Sequence, residues 1–268
     1  MARNLTFQCL RGVVANIPTL AVGELYFATD TLGLWIGTAS GNLLISLGRW
    51  NRITVLTSSS TFTVQATTSL IHIRVIGGGG AGGGCTGATG TNSAAGGGGG
   101  AGGYTEDWLV VLPNHGYIYT IGAGGTGVAG SAGNPGTSSV WEPSGSSVTW
   151  ITALGGKGGI NMAAGSTAAF ALGGAPSGTA AHGHVLSSGS SGEHSIRLSG
   201  TVAIQGSGAS GLYGSGGQGI VVPASASTTG TAAVGFGGGG GGSSTQATAT
   251  SSAGGAGAPG VIIVEEYS

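Results

Sequence analysis

Short apolar runs alternate with turn residues through the first part of the chain. Each run holds a few residues, is rich in β-forming side chains and is bounded by Gly, Asp, Asn or Pro, which is typical of short strands. The runs lie at residues 5–12, 23–29, 34–37 and 42–45. This pattern predicts a small all-β module over residues 1–48.

A stricter alternation of apolar and polar residues precedes the first glycine run. Ile71, Ile73 and Val75 fall on one face of the segment, and His72 and Arg74 fall on the other, which predicts a half-buried strand. Because another apolar run follows the last glycines, we expect strands on both sides of the glycine-rich region to pair into one sheet. Strands are predicted at residues 52–56, 61–64, 70–76 and 261–267.

Glycine dominates the composition, with 62 of the 268 residues. Fixing a glycine costs more backbone entropy than fixing any other residue, and glycine has no side chain whose burial could compensate. Yet 40% of the residues are hydrophobic and the mean hydropathy is +0.32, whereas disordered chains are poor in apolar residues. A collagen triple helix is not predicted, because it needs glycine at every third position and these glycines come in consecutive runs. An ordered domain held together by its backbone is predicted.

Glycine-rich runs are separated by connectors that carry most of the aromatic and charged residues. Extended polyglycine can form a polyproline-II helix, with three residues per turn, about 3.1 Å per residue and no internal hydrogen bonds. Each buried N–H and C=O must then bond to a neighbouring helix. A run of about eight residues would span about 25 Å, so the connectors would gather at two opposite ends. The runs lie near residues 77–84, 96–103, 122–127, 155–159, 173–178, 206–219, 235–242 and 254–260.

The low charge of the chain limits its partners. Only 6% of the residues are charged and the net charge is −1, so neither nucleic acid nor an anionic membrane is an expected partner. No apolar run approaches the roughly 20 residues of a membrane span. Because the start has no apolar signal segment, we expect synthesis in the cytoplasm without a signal peptide. Cys9 and Cys85 fall in different predicted domains and are expected to be free thiols.

The first part of the chain carries an ordered set of short motifs. These are Leu10-Arg11-Gly12, Pro18-Thr19-Leu20-Ala21-Val22-Gly23-Glu24-Leu25, Thr29-Asp30-Thr31, Leu34-Trp35-Ile36-Gly37 and Gly41-Asn42. They resemble the N-terminal module of phage tail-fibre proteins and are similar to the N-terminal domain of the major tropism determinant. The resemblance implies a short β-prism that trimerises and docks the protein to the virion. The family's closing Lys-x-Gly-Asp-Gly turn is replaced here by Ile36-Gly37-Thr38-Ala39, so the contacts of its Lys and Asp are not expected.

The glycine runs carry a second resemblance, which covers residues 50–268. They resemble the glycine-rich domain of phage tail proteins. They also resemble the adhesin tips of T-even-like phages, in which polyglycine-II rods alternate with variable loops that bind outer-membrane receptors. The resemblance therefore implies a receptor-binding role for the connectors. The segments that carry it are residues 76–84, 98–104, 121–125 and 257–265.

Catalytic chemistry has little support in the sequence. The run of residues 155–159 contains Lys157 but lacks the Ser or Thr that follows the lysine of a phosphate loop. Paired carboxylates could hydrolyse a surface polysaccharide, but the adjacent Glu106 and Asp107 are interpreted as a solvated turn. We expect no catalytic residue and no enzyme activity, with a polysaccharide depolymerase as the least favoured alternative.

His182-Gly183-His184 is the clearest metal-binding pattern. Alternate residues of an extended chain point to one side, and neutral imidazole is a common transition-metal ligand. In a trimer, three such pairs would supply six ligands to an ion such as iron, which resembles the axial sites of some phage fibres. His194 is a further candidate ligand. The other interpretation is a solvated or receptor-facing loop that binds no cofactor.

Aromatic and charged side chains of the connectors are the candidates for receptor contact. Trp and Tyr supply rigid contact area with a polar group. Trp141 and Tyr213 are expected to be exposed, whereas Trp108 and Trp150, beside apolar β-forming residues, are expected to pack over the glycine block. The candidate set is Trp141, Tyr213, Phe170, His182, His184, Glu193 and Arg197.

These patterns predict an all-β homotrimer with two domains. Residues 1–48 would form a β-prism-like module that docks to other tail or baseplate proteins, and residues 49–268 a glycine-rich receptor-binding domain. The expected function is that of a phage tail-fibre adhesin in the virion, which binds a protein or glycan of the host cell surface. The alternative is a purely structural fibre or head-decoration protein, whose connectors would select no receptor.

Overall fold

A computed structural model describes residues 10–29, 33–45, 50–143, 151–178, 182–221 and 226–268. Cys9, Asp30 and Trp150 lie outside the described residues. The fold is all-β, as predicted, with one short 3-10 turn at Val14–Asn16. No helix in the described ranges has the length and apolar character needed to cross a membrane.

The strands follow the predicted positions closely at both ends of the chain. In chain order they are β1 (Leu10–Gly12), β2 (Leu25–Ala28), β3 (Gly33–Thr38), β4 (Gly41–Ile45), β5 (Trp50–Leu56), β6 (Ser60–Thr63), β7 (Leu70–Ile76), β8 (Ala88–Ala95), β9 (Tyr104–Val110), β10 (Gly116–Thr120), β11 (Ser139–Pro143), β12 (Ile151–Ala153), β13 (Ala169–Ala171), β14 (Val185–Ser187), β15 (Ser195–Ser199), β16 (Val202–Ile204), β17 (Tyr213–Ser215), β18 (Ser227–Thr228), β19 (Val234–Phe236), β20 (Ser244–Thr248) and β21 (Val261–Tyr267).

The chain forms two compact units. Unit 1 is Met1–Asn51 with Tyr267–Ser268, and unit 2 is Arg52–Glu266. In unit 1 the strands form one sheet in the order β1-β2-β3-β4, in which β1 runs parallel to β2 and the other pairs are antiparallel.

A small core and one polar side chain order unit 1. Leu20, Tyr26 and Ala28 are buried together. The Asn42 side chain accepts a hydrogen bond from the Leu20 N–H at 3.0 Å and donates one to the Pro18 carbonyl at 2.7 Å. The motif residues Pro18, Leu20 and Asn42 thus hold a loop to the sheet.

Two sheets form one end of unit 2, which we call the base. Their strand orders are β14-β9-β7-β21-β5 and β12-β11-β10-β6. The expected pairing of strands from both sides of the glycine-rich region is therefore confirmed. Ile71, Ile73 and Val75 are buried on one face of β7, as the alternation predicts. They pack with Trp141 and Ile262 in an apolar core between the two sheets.

Beyond the base, the glycine segments run as rods with a three-residue hydrogen-bond period. The N–H groups of Gly77, Gly80 and Gly83 bond to the rod 97–103, at Gly103, Gly100 and Gly97. The N–H groups one residue later in each turn, Gly78, Ala81 and Gly84, bond to residues 131–137, and the third set bonds to residues 252–258. Three donor directions per turn are the geometry of a polyglycine-II helix.

The rods pack on a hexagonal lattice. The rod 77–85 accepts hydrogen bonds from residues 125, 156–159 and 240–243, in addition to its three donor partners. It therefore has neighbours on all six sides. The three central rods 77–85, 96–103 and 237–243 bond to one another, and nine outer rods of the described chain surround them. The outer rods are residues 122–128, 131–137, 154–160, 172–177, 189–193, 206–209, 216–219, 230–233 and 252–260.

The central rods leave no room for side chains at most positions. A Cβ atom on Gly82 would lie 1.9 Å from the carbonyl oxygen of Gly241, and one on Gly98 would lie 1.8 Å from that of Ser207. The obstacles are backbone atoms, so only separation of the rods could relieve the overlap. Glycine is required here by the closeness of neighbouring backbones.

Two further sheets form the opposite end of unit 2, which we call the distal end. Their strand orders are β18-β20-β8 and β13-β15-β16. Cys85, Ala94, Met162 and Ala171 are buried together beneath them. Cys85 is a free thiol, as expected, and burial raises its pKa to about 11. Both predicted groups of connectors are therefore present, one at each end of the rods.

Candidate functional site

The distal sheet β13-β15-β16 presents apolar side chains on its open face. In the antiparallel register of β13 and β15, Phe170 lies opposite Ile196. Phe170 is 68% exposed, and Ile196 and Leu198 are exposed on the same side of β15. Large apolar groups that stay exposed together often mark an interaction surface.

These side chains border a groove, which we call the distal groove. It has a volume of about 570 Å³, and almost all of its wall is apolar. The rings of Phe170 and His194 are stacked along it, with centroids 6.5 Å apart and planes 12° apart. The lining residues are Ala168, Ala169, Phe170, His194, Ile196, Arg197 and Leu198.

Arg197 supports the groove from behind. Arg197 is only 7% exposed. Its guanidinium donates to the carbonyls of Thr167 at 2.6 Å, Ala163 at 2.7 Å and Ser93 at 3.1 Å. Arg197 was predicted as a receptor-contact candidate, but it is buried and its Nε and Nη1 groups donate to backbone carbonyls, so its side chain is not exposed for such a contact. The residue holds β15 against the neighbouring connectors.

Glu193 and His194 stand at the distal end of an outer rod. The Gly173 N–H donates to His194 Nδ1 at 3.3 Å, and a Glu193 carboxylate oxygen accepts from the Ser207 N–H at 3.4 Å. Both side chains are exposed. The structure thus brings Phe170 to the same end of unit 2 as Glu193 and His194, although Phe170 precedes Glu193 by 23 residues in the sequence.

The structure corrects the expectation for Trp141, which lies at the base. Trp141 is fully buried. Its ring stacks on those of Tyr117 and Tyr119, with centroids 5.1 Å and 6.1 Å away. The polar neighbours in the sequence suggested exposure, but Trp141 occupies the inward face of β11, where the two base sheets meet. It cannot contact a receptor in the folded protein.

The prediction for Trp108 was also wrong, in the opposite direction. It was expected to pack over the glycine block, yet it is 45% exposed on the outer face of β9. Its ring stacks on His72 with centroids 4.3 Å apart and planes 12° apart. Because β9 alternates, the residues on either side of Trp108 do not decide which face it takes.

A polar network missed by the sequence analysis surrounds His72. His72 Nε2 lies 2.7 Å from a Glu106 oxygen, and His72 Nδ1 lies 3.2 Å from Glu265. Tyr104 also donates to Glu106. The Tyr104 hydrogen bond and, to a lesser degree, His72 lower the pKa of the Glu106 carboxyl. The alternation of β7 predicted its polar outer face, but it could not show that β9 and β21 would place Glu106 and Glu265 beside His72.

The interpretation of Glu106 and Asp107 as a solvated turn is wrong. Both residues lie in β9, and they bond in different directions, Glu106 to His72 and Asp107 to His184. Consecutive strand residues point to opposite faces, so the two carboxylates do not face a common substrate position.

His182 and His184 lie at the base with Tyr213. His182 has a φ of 67° and His184 is bonded to Asp107. Tyr213 is 38% exposed and its hydroxyl accepts a hydrogen bond from Arg74 at 3.1 Å. Within the described ranges, no three His, Cys, Asp or Glu side chains of the chain are arranged to hold a metal ion. An ion shared between chains of a trimer stays a prediction.

Charge is distributed unequally between the two ends. At the described distal end the charged or titratable side chains near the groove are Glu193, His194 and Arg197, of which Arg197 is buried. The base carries the ion pairs of the described part of unit 2, including Arg52 with Glu266 and Arg74 with Glu265. The distal surface is thus partly apolar with few charged groups, and the base is ionic.

The family comparison agrees with this architecture. The sequence has no match among curated proteins. A family model described as a glycine-rich domain matches residues 54–267, which is most of the chain and nearly all of unit 2. The chain therefore belongs to the glycine-rich domain family.

Proposed function

We propose that the protein is a phage tail adhesin whose distal end binds a receptor on the host cell surface. The observation that carries this proposal is the distal groove, an exposed apolar surface on a rigid block of rods. Binding functions commonly lie on connectors that a rigid scaffold positions.

The path of the chain favours the distal end over the base. Residue 52 enters unit 2 in β5 and residue 266 leaves it in β21, and these strands are neighbours in the base sheet. The chain therefore enters and leaves unit 2 at the base. The distal connectors are the part of unit 2 farthest along the rods from that point, about 25 Å for an eight-residue rod.

The remaining parts of the proposal rest on the N-terminal motifs. Residues 1–48 attach the chain to other tail or baseplate proteins of the virion, and the chain acts as a homotrimer. No reaction is catalysed. Incubating the protein with host polysaccharide and measuring chain length tests this last point, since shortened chains would contradict it.

A matched pair of variants tests the adhesin role. Phe170→Asp places a charge in the distal groove, and Val110→Asp places one at the base, where Val110 is 84% exposed. Both are surface changes that should alter stability by about 0.5 kcal/mol or less. Fluorescently labelled proteins are incubated with a panel of bacterial strains.

The proposal expects wild type and Val110→Asp to bind one or more strains equally, and Phe170→Asp to bind at least about 10-fold less, a loss of about 1.4 kcal/mol. Equal binding by all three proteins would contradict a distal receptor site. Failure of the wild type to bind any strain would favour the purely structural alternative.

A further inference from the structure

A second concave site lies at the base, between the end of β14 and the turn before β17. We call it the base cleft. Its volume is about 390 Å³, within the range of small-molecule sites. Tyr104, Ser188, Ser190, Ser210 and Leu212 line it together with glycine backbone. None of these residues belongs to the distal groove.

Serine hydroxyl groups and backbone supply the polar part of the base-cleft wall, whose larger part is apolar. The Ser190 hydroxyl donates to the Ser210 carbonyl at 3.1 Å, and the Ser187 hydroxyl donates to the Ser188 carbonyl at 3.1 Å. A hydroxyl that has donated its proton still has oxygen lone pairs to accept hydrogen bonds. The polar part of the cleft therefore offers acceptors, and a complementary ligand would supply donors to it.

Tyr104 and Leu212 give the base cleft an apolar wall. Leu212 is 63% exposed. The Tyr104 hydroxyl donates to Glu106, and burial followed by this hydrogen bond raises the pKa of Tyr104, so the phenol stays protonated. The bond also fixes the orientation of the ring. A fixed aromatic ring beside hydrogen-bonding groups suits a ligand with both C–H faces and polar edges.

The charges near the base cleft disfavour an anionic ligand. Glu106, bonded to Tyr104, is held ionised because its pKa is lowered. Arg74, the neighbouring cation, is paired with Glu265 and donates to Tyr213. An added carboxylate or phosphate would meet a negative charge without an available cation. A neutral ligand with many hydroxyl groups meets acceptors on each side.

We propose that the base cleft binds a neutral saccharide of one or two pyranose units. The hydroxyls of the sugar donate to the serine and backbone oxygens, and one C–H face of the ring lies against Tyr104. This inference does not rest on the adhesin role, because it concerns different residues at the opposite end of unit 2.

Calorimetric titration of the full chain tests the proposal. The probes are the methyl glycosides of glucose, galactose, mannose and N-acetylglucosamine, their disaccharides, and glucuronic acid as the anionic comparison. The variants are Ser188→Trp, which fills the cleft, and Leu212→Asp, which places a charge on its wall. Val110→Asp, which places the same charge at an exposed base position outside the cleft, is the control, and circular dichroism verifies that each variant folds.

At least one neutral saccharide is expected to bind, with affinity reduced at least about 10-fold in both cleft variants and unchanged in Val110→Asp. Three results would overturn the proposal: no neutral saccharide binds the folded wild type, glucuronic acid binds better than every neutral sugar, or folded cleft variants bind as the wild type does.

Discussion

The base and the glycine block of unit 2 bury their interiors by different means. In the base, Trp141, Ile73 and Ile262 fill the space between two sheets, so side-chain volume stabilises the fold through removal of apolar surface from water. In the glycine block, rods such as 77–85 bond to neighbours on six sides through backbone alone. The first core depends on side chains being present, and the second depends on their absence.

This difference should determine how each region tolerates substitution. A side-chain core relaxes partly around a changed residue, and the cost depends on how well the site can collapse. A backbone lattice has no such freedom, since each rod is bonded to several others. A single added methyl group must separate several rods at once.

The largest effect is expected for Gly98→Ala in a central rod. The new Cβ would lie 1.8 Å from the Ser207 carbonyl oxygen, so the rods must move apart and lose hydrogen bonds. We expect a loss of more than about 4 kcal/mol in the free energy of unfolding, measured by urea denaturation. Lys157→Ala, at an exposed position of an outer rod, is the control and should change stability by about 0.5 kcal/mol or less. Native stability of Gly98→Ala would contradict the backbone-lattice account.

The side-chain core is probed by Trp141→Ala. Removing this buried ring should cost about 3–5 kcal/mol, whereas Trp141→Phe should cost less because an aromatic ring still packs on Tyr117. Denaturation curves of the two variants make the comparison. Equal destabilisation by Trp141→Phe and Trp141→Ala would contradict the expectation that the cost in the base depends on how much side-chain volume is removed.

A smaller effect is expected at Glu266, a fully buried carboxylate that joins polar groups of the base. Glu266 accepts from Arg52 Nε at 2.5 Å, the Gln65 N–H at 2.8 Å and the Thr68 hydroxyl at 3.2 Å. Glu266→Gln should cost about 1.5–3 kcal/mol, since hydrogen bonds to a charged group are weakened. The exposed Glu193→Gln is the matched control, and an equal effect of both variants would contradict the assignment.

The smallest effect concerns pH and Glu106. Because its pKa is lowered in the folded protein, its contribution to stability is present above the unfolded-state value of about 4.3 and is lost as pH falls through the folded-state pKa. We expect wild type to exceed Glu106→Gln by less than about 1 kcal/mol at pH 6, and the difference to shrink toward pH 3. If the stability difference between the two proteins grew on acidification, this would contradict a lowered pKa of Glu106 in the folded state.

Only some of the outer rods could be predicted from the sequence. Residues 131–137, 189–193 and 230–233 were not identified as rods, because they contain many residues other than glycine. Gly133 and Gly136 are nevertheless three residues apart, and a Cβ atom on either would lie within 2.4 Å of a carbonyl oxygen of the rod 77–85, so this spacing is a signal for an outer rod. The inward position must be glycine, whereas the positions facing solvent can hold any side chain.

The two tryptophans show a different limit. Trp141 has polar neighbours in the sequence and is buried, whereas Trp108 has apolar neighbours and is exposed. In a strand, alternate residues face opposite sides, so the side that becomes the interior depends on which sheet packs against it. That partner is distant in the sequence.

The sequence by itself determined the all-β class, the strands on both sides of the glycine region and the central rods, because strict alternation and pure glycine runs each allow few backbone arrangements. Only the tertiary structure decided which connectors share an end, which brought Phe170 and His194 into one groove and placed Tyr213 at the base. The physical reason is that each rod reverses direction, so residues far apart in the chain meet through backbone hydrogen bonds whose partners no local pattern specifies.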